Sequence, residues 1–333
     1  MKSLFVKQKM CYGGPWASFK YADMTPRKIL EKTYAKGGHP VPMINLLGMD
    51  CAVLDLDIRY DWLNLALRDN PHLGETLLST TEGIKKLDEV NFAEYDLVYS
   101  EDPILPQHII SDCPDTVFAY NPVEHTDPKA FSQTGVEYDL FYWHVPYDPN
   151  FHWNRSRMRK GLFPQAPDIM RNEFKGSGKK IHLEYRTVEA EGGRAHKYLE
   201  QHTELQCTYY GQGHKIYYMV ENPPKNAVSY WERLADSKYN IMLPARQGVR
   251  LGQSLGDAAS MGVINIGKAL HSVYLHPRCR VGNLDEALGV IRDIETTSDL
   301  GQQIIEYQDD VIKKSNDKFI NMIKDKISEK RGL

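Results

Sequence analysis

KYNIMLPARQGVRLGQSLGDAASMGVINIG, running from Lys238 to Gly267, carries the reading that decides the fold. It opens on a short apolar strand, passes through a loop rich in Gly and Arg, and enters a small-residue helix with Asp257 near its start. A glycine stop and a second short apolar strand close it. One strand-to-helix turn therefore gathers a carboxylate, the guanidinium groups of Arg246 and Arg250, and several exposed backbone N–H groups. Helix N-termini attract anions, Arg grips phosphate oxygens in a planar fork, and a carboxylate can accept both hydroxyls of a ribose. A turn of this make-up can hold a phosphorylated sugar nucleotide.

Outward from this turn, apolar strands and amphipathic helices alternate from end to end, the pattern of an α/β protein with mainly parallel sheets. The first half offers strands at Ser3 to Val6, Ala52 to Leu56, Asp96 to Tyr99, Thr116 to Ala119 and Leu140 to Trp143. Several run into Pro, Asp or Glu, as in VYSEDP and FAYNPVEHTDP, so their carboxyl ends deliver polar side chains to loops. In parallel α/β sheets those ends form the binding crevice. Between Asn150 and Gly178 the alternation dissolves into basic residues, Pro and a Gly-Ser-Gly step, which marks a domain boundary.

A second series follows. KIHLEYR reads as a strand, Arg194 to Thr203 as a helix, LQCTYYG as a strand, and Ala227 to Ser237 as a helix. Asn283, Leu284, Asp285 and Glu286 form an N-cap signature, with Leu284, Leu288, Ile291 and Ile294 on one face of the helix that follows. A last helix, from about Gly301 to Ile327, places Ile304, Val311, Ile312, Phe319, Ile323 and Ile327 at helical spacing. It is long enough to pack back across both domains, and an equal reading of the pattern is plain packing or dimerisation. The expected layout is a first domain over residues 1–160, a linker over 161–178, a second domain over 179–300 and a terminal helix over 301–333.

With 333 residues the chain can build two cores of ordinary size. Its 41% hydrophobic and 26% charged fractions are those of a soluble globular protein. No apolar run reaches the roughly 18 residues needed to span a bilayer, and MKSLFVKQK lacks the long apolar centre of a secretory signal. Cys11, Cys51, Cys113, Cys207 and Cys279 are widely scattered, with no C-x-x-C pair, which suits reduced thiols and a cytoplasmic location. A formal charge of −3 gives no global attraction to nucleic acid, and neither a basic stripe nor a zinc spacing is present. Any grip on an anion must be local.

The second half resembles the carboxyl-terminal domain of GT-B glycosyltransferases, which are built from two Rossmann-like domains facing across a cleft that holds a nucleotide sugar. The resemblance lies in YWERLADSKY, then NIMLPARQGVRLG, then LGDAASMGVINIG, and continues through LHPRCRVGNLDEAL. It implies that Asp257 stands where the family has a Glu on the nucleotide ribose, and that Gly252 matches a glycine of the preceding loop. Retaining members often carry another Glu eight positions earlier, where this chain has Val249 followed by Arg250. In KIHLEYRTVEAEGGRAHKYL, Arg186 matches the first cation of a pair that holds the donor diphosphate, and Arg194 or Lys197 supplies the second. Gly13 and Gly14, straight after the first strand, resemble the family's glycine loop, and a tight turn without a ligand fits them equally.

The resemblance implies transfer of a sugar from a nucleotide-diphosphate sugar, as co-substrate, to a hydroxyl of a carbohydrate or other acceptor, with no metal or cofactor. Such a reaction needs positive charge on the departing diphosphate and, in inverting enzymes, a base for the acceptor proton. DLVYSEDP resembles a family strand that points at the cleft, and here it ends in Glu101 and Asp102; Glu124 and His125 stand at a comparable strand end. Asp102, then Glu101, then His125 are the candidate bases, although carboxylates at strand ends also cap helices. His144 and His152 lie in an aromatic stretch that fits an acceptor groove or a packed seam. Two rival readings stay open. Asp55 and Asp57 have the D-x-D spacing with which single-domain GT-A transferases hold a metal. Alternatively, the missing Glu at position 249 would suit a nucleotide-binding module without catalysis. A nicotinamide dehydrogenase is disfavoured, because no G-x-G-x-x-G follows a strand.

Overall fold

Short apolar runs between charged or turn-forming residues make strands that can be buried on both faces, as parallel sheets require. In a computed structural model, residues 1–8, 47–54, 84–85, 87–101, 105–121, 136–141, 178–184, 187, 194–210, 232–243, 254–268 and 275–333 are described. Six strands form the first sheet: β1 (Ser3–Gln8), β2 (Asp50–Leu54), β3 (Ile84–Lys85), β4 (Leu97–Glu101), β5 (Val117–Asn121) and β6 (Leu140–Phe141). Their order is β3-β2-β1-β4-β5-β6 and every pairing is parallel. That is the doubly wound Rossmann order, in which the strand sequence reverses between the first and fourth strands. Leu4, Phe5 and Val6 of β1 and Leu97, Val98 and Tyr99 of β4 are buried, and Phe5 stacks on Tyr99 at 5.9 Å between centroids. On one side Leu4, Val6, Val98, Phe118 and Tyr120 pack with Leu105, Ile110 and Tyr138; Ile110 belongs to α1 (Gln107–Ser111).

The second sheet has the order β10-β9-β7-β8, again all parallel. Its strands are β7 (Lys180–Glu184), β8 (Gln206–Tyr210), β9 (Ser237–Met242) and β10 (Ile264–Gly267). α2 (Ala195–His202) joins β7 to β8, and α3 (Ser254–Ser260) lies between β9 and β10. Two longer helices follow, α4 (Leu284–Thr296) and α5 (Leu300–Arg331). Strand alternation sorts the faces. Ile181, Leu183, Tyr239, Ile241, Ile264 and Ile266 join Leu199 of α2 and Leu288 and Ile291 of α4 in one apolar core. Met242 packs instead with Leu255 and Ala259 of α3, against Val311 and Ile312 of α5. Helices on opposite faces, on either side of the strand-order reversal, are what right-handed crossovers dictate.

The N-cap signature is realised: the Asn283 side chain accepts from Glu286 N at 2.9 Å, while Glu286 Oε2 accepts from Gly282 N at 2.6 Å. The helix expected over Ala227 to Ser237 stops earlier. Ser237 is instead the first residue of β9, because it pairs with Lys180 of β7. Gly178, just ahead of β7, runs so close to the β9 entrance that a Cβ there would meet Asp236 O at 2.4 Å.

By its internal packing the chain divides into two compact units. The first contains the six-stranded sheet and Asn316–Leu333, and the second contains the four-stranded sheet and residues 165 to 315. α5 is therefore one helix whose first half belongs to the second unit and whose last half belongs to the first. Within the second unit, Leu300 and Ile304 enter the core. Within the first, Lys330 Nζ donates to Thr116 O at 2.7 Å and to Asp139 Oδ2 at 2.8 Å, and Arg331 pairs with Asp96 at 2.5 Å. Among the described residues no helix is long and apolar enough to cross a membrane.

Candidate functional site

In the second sheet the strand order reverses between β7 and β9, whose neighbours β8 and β10 run off in opposite directions. Connections leaving such a pair diverge to opposite faces and open a crevice at the carboxyl ends. A single hydroxyl ties the two ends together. Thr187, fully buried just past β7, donates through Oγ1 to Ile241 O at 3.2 Å and accepts from Leu243 N at 2.6 Å. A threonine hydroxyl can do both at once, so neither polar backbone group of the β9 exit is stranded. In the sequence nothing distinguishes Thr187, and the neighbouring Arg186 carries the more obvious chemistry.

α3 follows from the β9 exit. Its small residues let it lie close on the sheet, with Leu255, Ala258 and Ala259 at most 1% exposed. Gly262 ends it at φ +76°, with Gly262 N bonded to Ala259 O at 3.0 Å and Val263 N to Ala258 O at 2.9 Å. This is a Schellman stop, which favours glycine at the left-handed position. Asp257 is 6% exposed, and its Oδ1 is shut off from solvent. Its carbonyl accepts from Ser260 Oγ at 2.8 Å and from Met261 N at 3.1 Å. Asp257 thus sits on a helix packed through Leu255 and Ala259 against Met242, the last residue of β9.

Beneath α3 runs a row of buried polar side chains, in register across three strands: His182 of β7, Asn240 of β9 and Asn265 of β10. Asn240 Nδ2 donates to Asn265 Oδ1 at 2.7 Å, and Asn265 Nδ2 donates to Leu255 O at 2.8 Å. Gln308 of α5 accepts from Asn265 N at 3.0 Å and donates to Val263 O at 3.0 Å. Burial, with the nearby Arg233 cation, pushes the His182 imidazole down to about 4, so it is neutral at ordinary pH. The amides were legible only as interruptions, NIM and INI, in otherwise apolar strands.

α2 supplies cations at the same carboxyl edge. Arg194 is its N-cap residue with no side-chain cap, and Lys197 lies in its first turn. Both are exposed, and among the described residues neither forms an ion pair. In the first sheet the order reverses between β1 and β4, and Glu101 closes β4 there, in register with Lys7 of β1 and Asn121 of β5. Beside it the buried Tyr138 hydroxyl accepts from Leu105 N at 2.8 Å and bonds the Ser100 side chain.

Asp257, Arg194, Lys197 and the backbone of Glu101 are the expected site residues that fall on described positions. Asp102, His125, Gly13, Gly14, Arg186, Arg246, Arg250 and Gly252 lie outside the described residues, as do Asp55, Asp57, Glu124, His144 and His152. Among the described residues there is no group of three His, Cys, Asp or Glu side chains placed to hold a metal ion.

No protein-family model matches the chain, and no curated protein matches it. Among solved structures it is similar to T4 phage BGT in complex with its UDP-glucose substrate, with 11% identity, all of both chains covered and a TM-score of 0.48. It is also similar to S. aureus MnaA in a co-structure with UDP, with 10% identity, 92% of this chain and 91% of the other covered, and a TM-score of 0.42. The calicheamicin glycosyltransferase CalG4 gives 10% identity, 98% of each chain covered and a TM-score of 0.37. The fold assignment rests on the strand order and packing described above.

Proposed function

We propose that the chain is a GT-B glycosyltransferase that moves a sugar from a nucleotide-diphosphate sugar to an acceptor hydroxyl. The observation that carries this reading is the second sheet. The carboxyl ends of β7 and β9 adjoin at the strand-order reversal, Arg194 is the N-cap of the helix between β7 and β8, and Asp257 lies on the helix between β9 and β10. A carboxylate and exposed cations at such a switch point suit a ribose and a diphosphate. Arg194, with Arg186 from the segment after β7, holds the diphosphate. Asp257 receives the ribose hydroxyls, and Arg246, Arg250 and Gly252 contact the sugar phosphate.

The chemistry needs little else. As the glycosidic bond breaks, its electron pair goes to the diphosphate oxygen, and cations set in place beforehand stabilise the charge that develops there. They replace the metal that other transferases use at this step. In the first unit Glu101 is the last residue of β4 at the corresponding reversal, and it, Asp102 and His125 are our candidates for the base that takes the acceptor proton. The free thiols of Cys113, Cys207 and Cys279 suit a reducing cytoplasm.

The test is a thermal-shift screen against UDP, GDP, ADP and TDP, followed by release of the nucleoside diphosphate from the matching sugar nucleotides. Binding together with slow hydrolysis supports the enzyme. Tight binding with no turnover, with or without added acceptors, would reduce it to a binding module.

A further inference from the structure

β10 is an edge strand, and an edge leaves backbone N–H and C=O groups without a ladder partner. Gln308 takes the place of the missing strand. Its side-chain amide accepts from Asn265 N and donates to Val263 O, both at 3.0 Å, and the whole residue is buried. Buried amides are costly unless both ends are satisfied, so this pair of bonds fixes the height of α5 against residues 263 to 265. Asn265 then spends its own side chain on α3, donating to Leu255 O at 2.8 Å while accepting from Asn240. Leu255 lies in the first turn of α3, two residues before Asp257. One turn beyond Gln308, Val311 and Ile312 cover Leu255 and Ala259 from the apolar side. The short α3 is therefore located by a polar relay on one flank and by α5 on the other.

We propose that Asn265 and Gln308 are positioning residues for Asp257, so that the terminal helix α5 sets the placement of the ribose-binding carboxylate. This rests on the nucleotide-sugar reading of Asp257 given above. The relay acts on binding rather than on the chemical step, because among the described residues its side-chain hydrogen bonds run to α3, which bears Asp257, and not to α2.

The experiment takes as its probe whichever of UDP, GDP, ADP and TDP raises the wild-type melting temperature most, and measures its Kd by calorimetry well below the melting temperature of each variant. Gln308→Met keeps the side-chain length and removes both bonds; it is expected to weaken binding at least fivefold. Combined with Asp257→Ala it should add little further loss, because a misplaced carboxylate and an absent one are nearly equivalent. Gln308→Glu keeps the acceptor for Asn265 N and regains the donor to Val263 O when protonated. Its binding relative to wild type should therefore recover at pH 6 compared with pH 8. That variant also serves if Gln308→Met does not fold. Wild-type affinity in Gln308→Met overturns the proposal, as do losses that multiply in the double variant or a Gln308→Glu ratio that is flat with pH. If wild-type protein binds none of the four nucleotides, the nucleotide-sugar reading falls, and the proposal with it.

Discussion

Thr187 Oγ1 lies 2.6 Å from Leu243 N and 3.2 Å from Ile241 O, so one buried hydroxyl closes the exits of β7 and β9 on each other. Thr187→Val keeps the shape and leaves a buried N–H without its acceptor. It should cost about 1–3 kcal/mol, whereas Thr187→Ser, which keeps the hydroxyl, should cost less. Urea denaturation of the three proteins decides it, and equal midpoints for Val and wild type would remove the clasp.

Asp257→Ala should leave the fold intact, since alanine suits a helix already rich in small residues. It should weaken nucleotide binding by about 1–3 kcal/mol through loss of a charged hydrogen bond. Calorimetric titration gives the number. Unchanged affinity would take the ribose role away from this residue.

Stability should decline in mild acid because of His182. Its folded value of about 4 lies below the ordinary 6.5, so between those two pH values the unfolded chain takes a proton that the native protein refuses. The contribution is complete above pH 6.5 and is lost as pH falls toward 4. Between pH 6.5 and 5 the loss is about 2 kcal/mol. Replacing His182 with Gln should flatten that part of the profile in denaturant titrations at each pH, and a slope as steep as wild type would exonerate the imidazole.

Lys330 is only 17% exposed where it meets Asp139 and Thr116 O, unlike the open pair Lys314–Asp310. Lys330→Met should cost about 1–2 kcal/mol, less than the full worth of a charged hydrogen bond because the pair is partly screened. Lys314→Met should cost under about 0.5 kcal/mol. Comparable midpoints for both variants would show that the terminal anchor adds nothing.

Turnover should survive EDTA. If activity instead vanished and Mn²⁺ restored it, the D-x-D pair Asp55 and Asp57 would become the centre of the mechanism in place of the paired cations.

What the sequence discloses depends on whether a feature is local. The strand, small-residue helix, glycine stop and strand around Asp257 are read from consecutive residues, and so are the Asn283 cap and the apolar face of α4. The relay through Asn240, Asn265 and Gln308 joins three elements and shows itself in the chain only as two asparagines out of place in apolar strands and one glutamine among the many polar residues of the last helix. Thr187 is an ordinary threonine until β9 comes alongside it. The two-residue β3 is too short for any period to register. The helix expected to end at Ser237 ends before it because pairing with β7, a contact distant in sequence, claims that residue.

Gly178 gives the connecting stretch a second meaning. Its Gly-Ser-Gly step looks like slack tether, yet any side chain at the last of these positions would collide with the carbonyl of Asp236. In a library of random replacements position 178 should therefore be intolerant even of alanine. An excised version of the second unit should begin upstream of that glycine, because the strand's footing already includes it.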